Sequence, residues 1–153
     1  MKKLLLHIGY PKTATTSMQL NLFSKLHEEN KVNFLGNSES GTFKKNIILD
    51  DLFLRQILIP GYYSSIENYD LHDRLKEKRG YLFGLLDKDL TNILSSEHII
   101  GFSIFNSHCH HNFPKRIREI FGNTDEVDIR ILISIRKQDS LISSIYNYYK
   151  SLT

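Results

Sequence analysis

The stretch from Leu4 to Asn30 constrains this chain more than any other. Leu4-Leu5-Leu6-His7-Ile8 is a short, nearly continuous apolar run that ends in Gly9-Tyr10-Pro11. A strand with one wet face alternates apolar and polar residues, whereas a strand covered on both faces reads as an unbroken run, the pattern of a buried parallel sheet. Thr15-Thr16-Ser17, residue types that cap helices, come next, and Met18, Leu22, Phe23 and Leu26 follow at helical spacing with Asn30 as the stop. The segment therefore predicts strand, tight loop and helix.

Further along, Val32 to Leu35 is a second strand candidate. Asp70 to about Leu94 reads as mostly helical, interrupted by Gly80 and Gly84, with Asn92 to Ser95 a strand candidate at its end. Ile129 to Ile135 is the strongest strand, carrying Ile129, Ile131, Leu132, Ile133 and Ile135. Asp139 is read as the cap of a last helix with Leu141, Ile145 and Tyr148 on one face. Strands alternating with helices imply an α/β fold, a three-layer arrangement with a mainly parallel sheet flanked by helices. No repeat or linker divides residues 1–153, so one domain is expected. No stop signal precedes Thr153, which sets the expectation of a sheet incomplete at its C-terminal end, and an exposed edge there would favour self-association.

Composition narrows the function. A chain of 153 residues that is 41% hydrophobic and 24% charged can bury a single core without disulfides or a structural metal. Twenty Lys and Arg against 17 Asp and Glu give a charge of +3, scattered along the chain, which argues against general nucleic-acid binding. No apolar run approaches the length of a membrane span. Met1-Lys2-Lys3-Leu4-Leu5-Leu6 imitates the start of a signal peptide but breaks off at His7. The single Cys109 excludes an intrachain disulfide and suits a reducing compartment, so a cytoplasmic protein is expected.

Two segments carry chemistry. Gly9 to Ser17 has the parts of an anion cradle: a helix N-terminus with its backbone N–H groups, Lys12 as a mobile charge, and the hydroxyls of Thr13, Thr15, Thr16 and Ser17. It does not match a Walker A loop. The plainer alternative is a capped turn with Lys12 in solvent. Arg136 ends the strongest strand and Ser144 lies eight residues later on the following helix. An arginine at a strand C-terminus can hold a phosphate bidentately, with Ser144 as a hydroxyl donor; the alternative is a surface arginine and an ordinary helical serine.

Together the two segments resemble sulfotransferases that use 3′-phosphoadenosine 5′-phosphosulfate (PAPS). His-Ile-Gly-Tyr-Pro-Lys-Thr-Ala-Thr-Thr-Ser-Met-Gln, residues 7–19, looks like that family's 5′-phosphosulfate loop. Ile-Arg-Lys-Gln-Asp-Ser-Leu-Ile-Ser-Ser-Ile-Tyr, residues 135–146, looks like its 3′-phosphate segment. The resemblance implies a P-loop-like fold in which Lys12 contacts the phosphosulfate and Thr13, Ala14, Thr15, Thr16 and Ser17 bind its phosphate. Arg136 and Ser144 would hold the 3′-phosphate. Ala14 stands where the family usually has Gly, a strained change if φ is positive there, and Gln138 replaces the usual Pro. The family's later segment, which completes the 3′-phosphate and adenine site, has no counterpart in the chain.

Sulfuryl transfer to a hydroxyl or amine also needs a base near Lys12. Glu97, then His98, just past the Asn92 to Ser95 strand, are the candidates; the alternative is a helix start with its acid in the first turn. His108-Cys109-His110-His111 is contiguous where zinc ligands are spaced, so a loop is the better reading and no metal is expected. The tyrosines of the last helix read as packing. The expectation is thus a PAPS-dependent sulfotransferase acting on a carbohydrate or small molecule. The alternatives are a nucleotide-binding module without catalysis and a phosphotransferase with an atypical loop.

Overall fold

The computed structural model describes residues 1–9, 13–36, 79–96, 118, 121 and 125–150. Four strands, β1 (Lys2–Gly9), β2 (Val32–Phe34), β3 (Thr91–Ser95) and β4 (Val127–Ser134), form one all-parallel sheet in the order β2-β3-β1-β4. β1 is central and pairs along its length with β4, from Lys2 opposite Val127 to Gly9 opposite Ser134. Both faces of β1 are buried, as its unbroken apolar run predicts: Leu4, Leu6 and Ile8 lie on one face, and Leu5 and His7, alternating with them, on the other. β4 is apolar too, yet Ile131 and Ile133 are half exposed because the strand has a neighbour on one side only among the described residues.

Helix α1 follows the first loop. It is continuous but not uniform: α-helical at Thr15–Met18, π-helical at Gln19–Phe23 and α-helical again at Ser24–Glu28. The Ser24 N–H and Oγ both donate to the carbonyl of Gln19, five residues back. One residue is thereby inserted into the helical phase, which turns Gln19, Phe23 and Ser24 inward and leaves Leu22, expected on the buried face, 44% exposed. Asn30 ends the helix as expected. Its φ of 54° is left-handed, and the N–H groups of Asn30 and Lys31 bond the carbonyls of His27 and Leu26, the paired bonds of a Schellman stop. Phe23 packs with Phe34 of β2 and Ile93 of β3, with Leu5 and Met18 against them, so α1 covers one face of the sheet.

Among the described residues, helix α2 covers 79–85, ending short of the predicted extent to about Leu94; the predicted start at Asp70 lies outside the described residues. The Oδ1 of Asp87 accepts the N–H groups of Asp89 and Leu90, and that turn stops the helix and leads into β3. The same two bonds hold the Asp87 carboxyl below its usual pKa. Asn92 anchors this end of the sheet. Wholly buried, it donates to the carbonyls of Lys3 and Asp87 and accepts from the Asp87 N–H and the Asn33 side chain, joining β1, β2, β3 and the turn. Helix α3 (Gln138–Lys150) follows β4. Asp139 lies in its first turn rather than capping it; Lys137 precedes the helix, pairs with the Asp139 carboxylate at 3.4 Å, and accepts the Leu141 N–H. No helix among the described residues is long and apolar enough to cross a membrane.

Candidate functional site

All four strands point the same way, so the segments leaving β1, β3 and β4 emerge at one edge. His7 lies opposite Ser95 and Gly9 opposite Ser134, which aligns the three strand ends. From β1 the chain departs past β3 to reach β2; from β3 it crosses β1 to reach β4. Neighbouring strands whose connections leave in opposite directions open a crevice between them, and parallel α/β sheets bind ligands there. Thr13 to Ser17 therefore stand beside this crevice, Ser96 leads from its second wall, and Arg136 follows the strand on the far side of β1.

Within the loop, the residue preceding α1 is Ala14, not one of the hydroxyl residues expected to cap it, and no side chain caps the helix there. Ala14 has φ 65° and ψ 20°, left-handed, and right-handed helix begins at the next residue. Such an alternation turns successive N–H groups toward one point and makes a concavity suited to an anion. Thr16 and Ser17 are exposed at this end, whereas Thr13 and Thr15 are buried with their hydroxyl oxygens 3.4 Å apart. Thr13 and β4 close tightly on the end of β1: a Cβ on Gly9 would lie 2.9 Å from Thr13 Oγ1 and 3.2 Å from the Ser134 carbonyl. Lys12, Glu97, His98 and the segment His108 to His111 lie outside the described residues.

Arg136 and Ser144 share an open cavity of about 570 Å³ that Asp139, Ser140, Ser143 and Asn147 also line. The guanidinium Nε donates to Ser140 Oγ at 3.1 Å, and Ser140 donates in turn to the Lys137 carbonyl. Ser140, one turn nearer than Ser144, is thus the hydroxyl that orients the arginine. Its i, i+4 spacing from Arg136 is visible in the sequence.

Beneath the loop runs a buried polar chain. Gln19 Nε2 donates to the carbonyl and the Oγ of Ser95; Ser95 Oγ lies 2.7 Å from His7 Nδ1; His7 Nε2 lies 2.7 Å from Ser134 Oγ; and Ser134 donates to Met18 Sδ at 3.7 Å. Counting donors assigns the tautomer. Gln19 supplies protons to Ser95, so the Ser95 hydroxyl donates to Nδ1, the Nε2–H donates to Ser134, and the Ser134 proton is left for the sulfur. The opposite tautomer strands the Ser95 proton without an acceptor. Burial, with Phe23 edge-on at 5.2 Å, pushes the His7 pKa below the ordinary 6.5, so the ring is neutral at neutral pH.

No family model, curated protein or solved structure matches this chain. What the edge can do chemically therefore follows from its groups. It sets a left-handed turn with exposed hydroxyls after β1 and a guanidinium after the neighbouring strand β4, two groups of the kind that bind anions. Sequence reasoning did not single out His7, Ser95 and Gln19 as a set. The available signal is that His7 in Leu4 to Ile8 and Ser134 in Ile129 to Ile135 each interrupt a buried-strand run near its C-terminal end.

Proposed function

We propose that this domain is a PAPS-dependent sulfotransferase with a P-loop-like fold. In this reading a sulfuryl group passes from the phosphosulfate to a hydroxyl or amine of a carbohydrate or small molecule. The observation that carries the reading is the pairing of Gly9 with Ser134, because it brings both motif segments to one edge on adjacent strands. Thr13 to Ser17 receive the 5′-phosphate in the concavity at Ala14. Lys12 neutralises charge that builds on the bridging oxygen as the sulfur–oxygen bond breaks. Arg136, oriented by Ser140, and Ser144 hold the 3′-phosphate. Glu97, or His98, takes the acceptor's proton as its oxygen or nitrogen bonds to sulfur. The leaving group is adenosine 3′,5′-bisphosphate.

Calorimetric titration with adenosine 3′,5′-bisphosphate tests this, because that ligand carries both phosphates. Micromolar binding is expected, weakened about tenfold or more in Lys12→Ala and in Arg136→Ala as charged hydrogen bonds are lost. Folded wild type that fails to bind would overturn the reading. Binding of PAPS without any release of the bisphosphate in the presence of a panel of acceptors would reduce it to a nucleotide-binding module.

A further inference from the structure

Among the described residues the sheet has two buried polar hubs, and they sit at opposite ends. Asn92 joins β1, β2 and β3 away from the ligand-binding edge, and its bonds go to backbone groups and Asn33. The His7 hub lies at the ligand-binding edge and differs in kind. It contains a titratable ring, it ties serines of β3 and β4 to β1, and it reaches α1 twice, through Gln19 and through Met18. Costly features converge on the same corner: a left-handed Ala14, a π turn that opens at Gln19, and a wholly buried imidazole. Features of this cost persist where the surrounding structure over-determines them, and they gather at functional sites.

We propose that His7 is a positioning residue for the loop from Thr13 to Ser17. As the neutral Nε2–H tautomer it locks β3 and β4 to β1, and through Ser95 to Gln19 and Ser134 to Met18 it fixes where the first turn of α1 stands. A second proton, placed on Nδ1, removes the acceptor that takes the Ser95 hydroxyl proton. Ser95 must then turn that proton away while still receiving Gln19, so the chain cannot keep its directions and the hold on α1 loosens. Among the described residues, the groups that face the ring are Ser95 from β3, Ser134 from β4, and Phe23 from α1; Gln19 and Met18 lie one bond further on, and none of these five carries a charge. The consequence for ligand affinity, and that clause alone, rests on the anion-binding reading of the loop: affinity falls as His7 takes its second proton. A purely electrostatic coupling has the opposite sign, since a cationic ring beneath the loop attracts an anion.

Nitrogen-15 NMR across pH 5 to 8 tests the positioning without any ligand. The expected result is a His7 ring protonated at Nε2, with the amide shifts of Thr13 to Ser17 following its titration in wild type and not in His7→Gln. Loop amides that ignore the His7 midpoint overturn the proposal. Calorimetry with adenosine 3′,5′-bisphosphate then reads the affinity. Ser95→Ala is expected to bind about five- to tenfold more weakly than wild type at pH 7, and wild type is expected to lose more affinity on acidification than His7→Gln, which reports protonation of the ligand's own phosphates. Ser95→Ala that binds as tightly as wild type, with the same pH profile, overturns the positioning role while leaving the proposed function standing. Loop amides that follow His7 in a protein that binds no bisphosphate leave the positioning role standing and overturn the proposed function.

Discussion

At Ala14 the backbone is held where an L residue meets its own carbonyl, at a cost of about 1–2 kcal/mol. The side chain is exposed. Glycine removes the clash but adds freedom to the unfolded chain, which offsets part of the gain. Ala14→Gly is therefore expected to stabilise the fold by about 1 kcal/mol, a rise in Tm of about 3 °C by calorimetry; a lower Tm would mean that the loop is not left-handed at this position. Gly9 presents the reverse case. Its missing Cβ leaves room for Thr13, whose side chain can rotate, and for the Ser134 carbonyl, which the sheet holds in place. Gly9→Ala is expected to cost about 1–3 kcal/mol in urea unfolding, and an unchanged midpoint would show that β4 can move aside.

The elements differ in how far they were legible. β1 is plain in the sequence because a strand buried on both faces needs an unbroken apolar run, β4 because β-branched residues crowd it although its outer half is exposed, and the stop at Asn30 because few residues besides glycine accept a left-handed turn. The π turn is not, since Met18, Leu22, Phe23 and Leu26 fit ordinary helical spacing and only the bonds to the Gln19 carbonyl reveal the extra residue. The end of α2 was missed for a similar reason: Asp87 breaks the helix with its side chain, a local bond that hydrophobic periodicity does not register. Asn92 reads as one polar residue in a strand, yet its amide donates to Lys3 and Asp87 and accepts from Asp87 and Asn33. Asn92→Asp removes the donors to Lys3 and Asp87 and faces two carbonyls with a buried carboxylate. Each stranded group costs about 1–3 kcal/mol, so the variant is expected to lose about 3 kcal/mol or more by urea unfolding at pH 7, and a loss below 1 kcal/mol would show that the hub relaxes. Asn92→Asp is also expected to recover part of that loss near pH 4, where its carboxyl protonates and can donate again.

Assembly of the whole molecule was legible only in outline. Alternating strands and helices imply a parallel sheet, but the pairing of β1 with a strand more than a hundred residues away, and hence the meeting of the two motif segments, depends on strand order that no local pattern encodes. Nor does any spacing announce that His7, Ser95 and Ser134 will share one layer. That layer gives the molecule a pH dependence whose sign can be worked out. Burial lowers the folded-state pKa of His7 below 6.5, whereas the unfolded chain keeps the ordinary value. Above 6.5 the ring is neutral in both states and its contribution to stability is fully present. As pH falls through 6.5 the unfolded chain takes up a proton that the folded chain refuses, so stability declines until pH passes the folded-state pKa, below which the loss is complete. Urea midpoints measured from pH 5 to pH 8 are expected to be flat at the upper end and to fall below 6.5. Subtracting the His7→Gln profile isolates this ring from the six other histidines. A difference profile that is flat, or that rises on acidification, would mean that the imidazole is not held neutral between Ser95 and Ser134.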